Sequence, residues 1–316
     1  MTGRLLIGIS GWDPEGWLRR FTALVPERRP LLAGPGADLS EVTHVAAWQA
    51  PAGLFSRLPR LEAILSLGAG VDHLLKRDDI AGDVKIVRMI DPDLTGRMSE
   101  WSVWQVLDHH RQGRLYRDQQ VRAHWYEMAQ PAASAVRVGI MGLGVLGLDA
   151  AAKLASLGFR VAGWSRTPKQ VGGLETHAGA EGLSRFLART DILVVLLPLT
   201  PETDGILDRA LFEGLARDGV HGGPIVINAG RGGLQNEADL LAALEDGTLK
   251  AASIDVFRTE PLPAESPFWG LANCTVTPHA AASSDPDALA GQVVASIAAL
   301  ERGEAPAGLV DRLRGY

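Results

Sequence analysis

The sequence predicts two α/β domains, each a parallel sheet with helices on both faces. Three observations carry this. Short apolar, β-branched runs alternate with helix-patterned stretches along the whole chain, as expected for strand–helix–strand units. The alternation is broken once, by a helical stretch rich in Trp, Gln, Arg and His that begins at Ser99. A length of 316 residues suits two domains of about 100–200 residues each.

The first set of candidate strands is Leu5–Ser10, His44–Trp48, Ala63–Leu67 and Lys85–Arg88. Ser99 to about His124 reads as one long connector helix, after which Pro131-Ala132-Ala133-Ser134 leads into the second set. That set is Val136–Met141, Arg160–Trp164, Asp191–Leu197, Pro224–Asn228, Ala251–Asp255 and Thr275–Thr277. Both sets have a doubly wound pattern. Asp285 to about Arg302 reads as a last helix, with Val293, Ile297 and Leu300 at core spacing. No strand follows it, so it is expected to return to the first domain. The expected division is therefore 1–98 with 284–316, around a second domain of 99–283 that starts with the connector at 99–125. No internal repeat is visible.

Composition narrows the function. Lys and Arg number 31 against 37 Asp and Glu; with no basic block among them, nucleic acid and acidic membrane surfaces are poor partners. The longest apolar run, Ile192 to Leu199, is too short to span a bilayer. Met1 to Ser10 lacks the regions of a signal peptide. A single cysteine, Cys274, excludes an internal disulfide and a Cys-cluster metal site. The histidines form no H-E-x-x-H pair, His109-His110 reads as a solvated helix face, and no metal is expected. A soluble, cytoplasmic enzyme acting on a small molecule is the expectation.

The first chemical motif is Gly142-Leu143-Gly144-Val145-Leu146-Gly147, between the strand at Val136–Met141 and a helix-forming run to Leu157. In this G-x-G-x-x-G, Gly142 permits a tight turn, Gly144 lets the backbone approach a pyrophosphate, and Gly147 allows close helix–strand packing. The helix behind it offers free N–H groups and a positive dipole end. This is the opening of a Rossmann-like dinucleotide domain. After the next strand, NAD sites place an acid that accepts from the ribose 2′-hydroxyl. Here the chain reads Ser165-Arg166-Thr167-Pro168-Lys169, with no carboxylate. Arg166 and Lys169 supply charge, and Ser165 and Thr167 supply hydroxyl donors, for a 2′-phosphate. NADP(H) is the expected cofactor, with NAD(H) left open; a solvated basic turn is the plain alternative.

Three later segments place charged residues at strand ends: Asn228-Ala229-Gly230-Arg231, Asp255-Val256-Phe257 running on to Glu260, and Thr277-Pro278-His279. Ligands of open α/β sheets bind beyond the carboxyl ends of the strands. Arg grips a carboxylate in bidentate fashion, and His beside a carboxylate is the usual acid–base unit near neutral pH. Singly, each has an ordinary structural reading; together at one sheet edge they point to catalysis.

With these residues in place, the chain resembles the D-2-hydroxyacid dehydrogenases, and within them the glyoxylate/hydroxypyruvate reductase A branch. The resemblance rests on Leu67-Gly68-Ala69-Gly70-Val71-Asp72-His73, the glycine loop, and Leu197-Pro198-Leu199-Thr200-Pro201-Glu202-Thr203. It continues through Asn228-Ala229-Gly230-Arg231-Gly232, Asp255-Val256-Phe257, Glu260-Pro261-Leu262-Pro263, Ser266-Pro267-Phe268-Trp269, Thr277-Pro278-His279 and the ending Val310–Tyr316. It implies a flavodoxin-like substrate domain beside an NAD(P)-binding domain, and reduction of a small 2-keto acid by hydride transfer.

Arg231, Glu260 and His279 match the family's triad. Arg231 would bind the substrate carboxylate and polarise the keto oxygen, His279 would donate a proton to that oxygen, and Glu260 would orient the imidazole and favour its charged form. Leu197, Pro198, Thr203, Ala229, Gly230 and Asp255 would meet the cofactor, Asp255 on its nicotinamide side. Gly68, Ala69 and Gly70 would form an anion nest. Trp48 would either wall the substrate pocket or belong to the core. Met98-Ser99-Glu100-Trp101 resembles the family's hinge and would place an aromatic near the substrate. The resemblance also implies a homodimer through the connector helix. Ser283–Asp285 has no clear counterpart in the branch.

Two other readings stay open. One is another hydroxyacid dehydrogenase branch, such as one acting on 3-phosphoglycerate; the end of the chain at Tyr316 leaves no room for the regulatory domain many of those carry, and the missing acid at 165–167 argues against it. The other is a dinucleotide-sensing binding protein on the same fold, whose disordered tails have no counterpart here.

Overall fold

The computed structural model describes residues 3–34 and 36–313. The chain divides into two compact units, Met1–Leu94 with Ser284–Tyr316, and Thr95–Ser283. The last three residues of the Val310–Tyr316 motif, and Met1 and Thr2 of the N-terminal stretch, lie outside the described residues.

The first unit starts β1 (Arg4–Ile9), α1 (Pro14–Leu24), β2 (Leu31–Leu32), β3 (Val42–Trp48), β4 (Ala63–Ser66), α2 (Asp72–Leu75) and β5 (Lys85–Val87). Its strands pair in parallel in the order β2-β1-β3-β4-β5, the order of flavodoxin-like sheets. Leu5, Leu6 and Ile7 are all buried, as are Val45, Ala46 and Ala47. Consecutive buried residues, rather than alternate ones, show that both faces of the sheet are covered.

One cover is the last helix of the chain, Pro286–Glu301. It starts sharply because Asp285 accepts from the N–H groups of Asp287 and Ala288, with proline at the first helical position. This gives Asp285, unmatched in the sequence, a structural role. Leu289, Ala290, Val293 and Ile297 pack into the core formed by Leu5, Ile7, Trp17, Phe21 and Leu65. Arg20–Asp287 at 2.7 Å and Arg28–Glu301 at 2.5 Å tie it to the rest of the unit.

The chain continues with α3 (Pro92–His110) and α4 (Gly113–Val121), where one helix from Ser99 to His124 was expected. The break is at Gln112, whose φ of 56° is left-handed. Gly113, a poor helix-interior residue, follows it, and Arg117 grips Asp108 with two bonds of 2.8 and 2.9 Å across the corner. His109-His110 is not a solvated face either. The His109 Nε2 lies 2.8 Å from the Ser253 hydroxyl, and His110 is buried against the rings of Phe159 and His221. The polar character of the pair misled because each ring packs inward.

The second unit adds β6 (Arg137–Met141), α5 (Val145–Ser156), β7 (Arg160–Ser165), β8 (Glu175–Ala178), α6 (Gly179–Ala188) and β9 (Ile192–Val195). It closes with α7 (Arg209–Gly214), β10 (Ile225–Asn228), α8 (Glu237–Glu245), β11 (Ala251–Ile254) and β12 (Cys274–Val276), and the helix at Pro286–Glu301 in the first unit is α9. The seven strands run parallel in the order β12-β11-β10-β9-β6-β7-β8. Counted from β6, this is the doubly wound dinucleotide-binding order with one strand added, and the direction of progression reverses between β6 and β9. Ile192 to Val195 are wholly buried, each such side chain worth about 1.5–3 kcal/mol. The edge strand β8, Glu-Thr-His-Ala, escaped the sequence reading because it has no apolar run, and β2 because it has only two residues. Among the described residues, no helix is long and apolar enough to cross a membrane.

Candidate active site

Because the second sheet is parallel, every carboxyl strand end lies on one edge, and each predicted motif of that unit sits there. At the end of β6 the three glycines differ in their surroundings. Gly142 has φ 113°, and a Cβ there would lie 2.7 Å from the Leu196 carbonyl. A Cβ on Gly147 would lie 1.8 Å from the Gly142 carbonyl, so the helix packs closer than any side chain permits. Gly144 caps α5 without a side-chain bond, and the space its Cβ would enter holds no protein atom within 4 Å. The Leu143 side chain is buried and that of Val145 exposed, while Leu146 packs against the core. Open space against the unpartnered start of a 12-residue helix fits a pyrophosphate.

The end of β7 is organised more narrowly than the sequence suggested. The Ser165 hydroxyl donates to the Thr167 carbonyl at 2.8 Å, and the Lys169 ammonium donates to the Leu143 carbonyl at 2.7 Å. The first closes the turn on itself, and the second braces it against the glycine loop. Arg166 is exposed, and its Nη1 lies 3.7 Å from Oε2 of Glu202. Glu202 belongs to the segment after β9, which Thr203 staples: its hydroxyl donates to the Pro198 carbonyl and accepts from the Thr200 N–H, both at 2.8 Å. Leu197 points into the core.

The Arg231 loop is built by the end of β10. Asn228, wholly buried, accepts from the Gly230 N–H at 3.0 Å and donates to Gln235 at 2.9 Å. Gln235 in turn donates to the Val256 carbonyl at 3.0 Å, tying this loop to the one after β11. Arg231 therefore leaves a fixed turn, with Ala229 and Gly230 buried behind it and its Nη1 donating to the Gly230 carbonyl at 2.7 Å.

Glu260 and His279 meet. Nδ1 of His279 lies 2.7 Å from Oε2 of Glu260, and the other Glu260 oxygen accepts from the Phe257 N–H at 2.9 Å. Partial burial opposes the charge on Glu260. The His279 bond, the Phe257 N–H and the charges of His279 and Arg231 outweigh it and hold the carboxyl below its ordinary value. With Nδ1 turned to the carboxylate, Nε2 is the nitrogen left to face a substrate on this exposed pair.

Asp255 is buried, and its carboxylate is spent on the chain. Oδ1 accepts from the Thr277 hydroxyl at 2.5 Å and the Ala280 N–H at 2.9 Å, and Oδ2 from the Ala281 N–H at 3.0 Å. Its position fits the expectation of a residue at the strand end, but its bonds make it the clasp of the His279 loop.

The first unit has its own carboxyl edge. Trp48 ends β3 and stacks on Trp12 at 4.8 Å, with His73 edge-on at 5.4 Å. It is half-buried, outside the core proper, and a Cβ on Gly68 would meet its ring at 2.4 Å. In the turn that follows β4, the Ser66 hydroxyl accepts from the Gly68 N–H at 3.3 Å. Trp101 is buried with Met98 in a core cluster of the second unit.

Residues 103–281 match the family model described as the D-isomer specific 2-hydroxyacid dehydrogenase, NAD binding domain. The chain belongs to this family. It is 39% identical over 310 residues to the glyoxylate/hydroxypyruvate reductase A of Serratia proteamaculans (strain 568), covering 96% of this chain and 97% of that one. Among solved structures it is similar to an NADPH-dependent glyoxylate/hydroxypyruvate reductase from Sinorhizobium meliloti in complex with NADP and sulfate. There the TM-score is 0.94 at 46% identity, covering 99% of this chain and 100% of that one. It is also similar to a D-isomer specific 2-hydroxyacid dehydrogenase from Xanthobacter autotrophicus Py2 in complex with NADPH and MES, with a TM-score of 0.93, 39% identity and full coverage of both chains.

Two residues of this dehydrogenase make site contacts that its sequence does not single out: Gln235 joins two site loops, and Glu202 faces Arg166. Gln235 had a faint signal, as an amide close behind a strand-end Arg. Glu202 had none, because only the fold brings β7 and the β9 loop together. Among the described residues, no three His, Cys, Asp or Glu side chains converge as a metal site.

Proposed function

We propose that this dehydrogenase reduces small 2-keto acids with NADPH, glyoxylate and hydroxypyruvate among them. The observation that carries the reading is the His279–Glu260 pair at 2.7 Å on the same sheet edge as Arg231 and the glycine loop. When bound, the reduced nicotinamide supplies the hydride. The glycine loop and the start of α5 hold the pyrophosphate, and Arg166 receives the 2′-phosphate. The relatives named for glyoxylate and hydroxypyruvate, one of them in complex with NADP, support both parts.

Arg231 binds the substrate carboxylate, and its charge stabilises the alkoxide that develops on the keto oxygen. His279 holds a proton at Nε2 and gives it to that oxygen. Glu260 stays ionised and fixes the ring through Nδ1, while Asp255 acts one step further away by fixing the loop. We also propose a homodimer through the α3–α4 stretch, where Trp104, Leu115, Tyr116, Val121, Trp125 and Tyr126 expose apolar surface.

The test is a two-by-two assay: oxidation of NADPH or NADH with glyoxylate or hydroxypyruvate as acceptor. Faster turnover with NADPH on either acceptor is the expected result. Turnover with NADH alone overturns the cofactor assignment, and no turnover with either acceptor overturns the substrate assignment.

A further inference from the structure

Dinucleotide folds that take NAD place a carboxylate at the end of the second strand, and this chain has none at 165–167. The fold supplies one from elsewhere. Glu202 lies on the β9 loop, stapled by Thr203, and puts Oε2 3.7 Å from Nη1 of Arg166. The Thr200 side chain, aided by Arg166, holds the Glu202 carboxyl below its ordinary value, so it is charged near neutral pH. Both side chains are exposed enough for solvent or ligand to reach them.

We propose that Glu202 is a specificity-determining residue that sets how strongly this dehydrogenase prefers a phosphorylated adenine ribose. This rests on the reading that Arg166 receives the 2′-phosphate. A dianionic phosphate arriving at Arg166 must displace Glu202 and then sit beside its charge, so the carboxylate taxes phosphate binding. A free 2′-hydroxyl meets no such repulsion and can donate to the carboxylate. Glu202 thereby tempers the discrimination that Arg166 alone would impose, and keeps the unphosphorylated cofactor usable.

Binding of adenosine 2′,5′-bisphosphate and of 5′-AMP, measured by calorimetry on the full chain, tests this without turnover. In low salt, Glu202→Gln should bind the bisphosphate about two- to five-fold tighter, the size expected of an exposed ion pair, and should bind AMP no tighter. The gain should shrink in 1 M salt, where the screening length is about 3 Å. Arg166→Ala should weaken the bisphosphate at least tenfold and AMP little. If Arg166→Ala behaves so while Glu202→Gln leaves the affinity ratio of the two ligands unchanged, the role of Glu202 is overturned and the phosphate site stands. If Arg166→Ala leaves the ratio unchanged as well, both fall.

Discussion

His279 has a backbone φ of 53°, in the left-handed region, which costs a non-glycine residue on the order of 1 kcal/mol. The surroundings hold it there. Its N–H donates to the Asp255 carbonyl at 2.8 Å, and the Asp255 carboxylate takes up the hydroxyl and N–H groups on either side. The conformation aims Nδ1 at Glu260. Under the proposed roles, His279→Ala should lower kcat by about 10²–10⁴ with KM little changed, the usual worth of a general acid. Arg231→Ala should raise KM as well as lower kcat, because it serves both the bound substrate and the transition state. Steady-state kinetics on the two variants separates the roles, and near-normal turnover of His279→Ala excludes it as the proton donor. At this scale the sequence was informative about the glycines, whose residue type is dictated by geometry, and about the strand ends that carry Arg231, Glu260 and His279. It placed Asp255 at a strand end without revealing its bonds to the His279 loop, since a buried acid that braces a loop is spelled the same way as one that meets a ligand.

Among the elements, α3 and α4 depart most from expectation. The sequence predicts one long connector helix, and the corner at Gln112-Gly113 makes two. The corner lets the rings of His109 and His110 pack inward while α4 buries none of its residues. Val121 is 87% exposed and Trp125 wholly so, an arrangement that leaves apolar area in water unless a second chain covers it. The protein should therefore sediment as a dimer at micromolar concentration, and Val121→Glu with Trp125→Glu should shift it toward monomer. A wild-type monomer in the ultracentrifuge overturns the assignment. β1 and β9 were legible as short continuous apolar runs buried on both faces, and α9 by the spacing of its core residues. β8 was not, because an edge strand needs only one neighbour and no apolar run.

Over the whole molecule, pH acts through buried imidazoles. Burial, helped by Arg28 and Lys85 against the pull of Glu301, lowers His44 in the first unit from 6.5 to about 4. Burial likewise lowers His109 in the second unit to about 4, aided by Arg114 and His221 against Asp108. The unfolded chain takes up these protons as pH falls through about 6.5, but the folded chain does so only near 4. Stability from these groups is thus complete above pH 6.5 and is lost as pH falls toward 4, by on the order of 3 kcal/mol for each site. Urea titrations at pH 7 and pH 5 should show a lower midpoint at pH 5, and His44→Gln should reduce the difference. An unchanged midpoint in the wild-type chain overturns this account.

The sequence by itself determined the two parallel sheets and the glycine loop at the start of the second, and it placed Arg231, Glu260 and His279 beyond strand ends. These depend on local requirements: periodic burial, a backbone too close for a side chain, a charge at a strand end. Only the tertiary structure decided that Glu202 faces Arg166, that Lys169 braces its turn against the glycine loop, that Asp255 clasps the His279 loop, and that His109 and His110 turn inward. Each of those is a contact between segments distant in sequence, and the energy of such a contact depends on the partner that folding brings, which a residue's own neighbours do not encode.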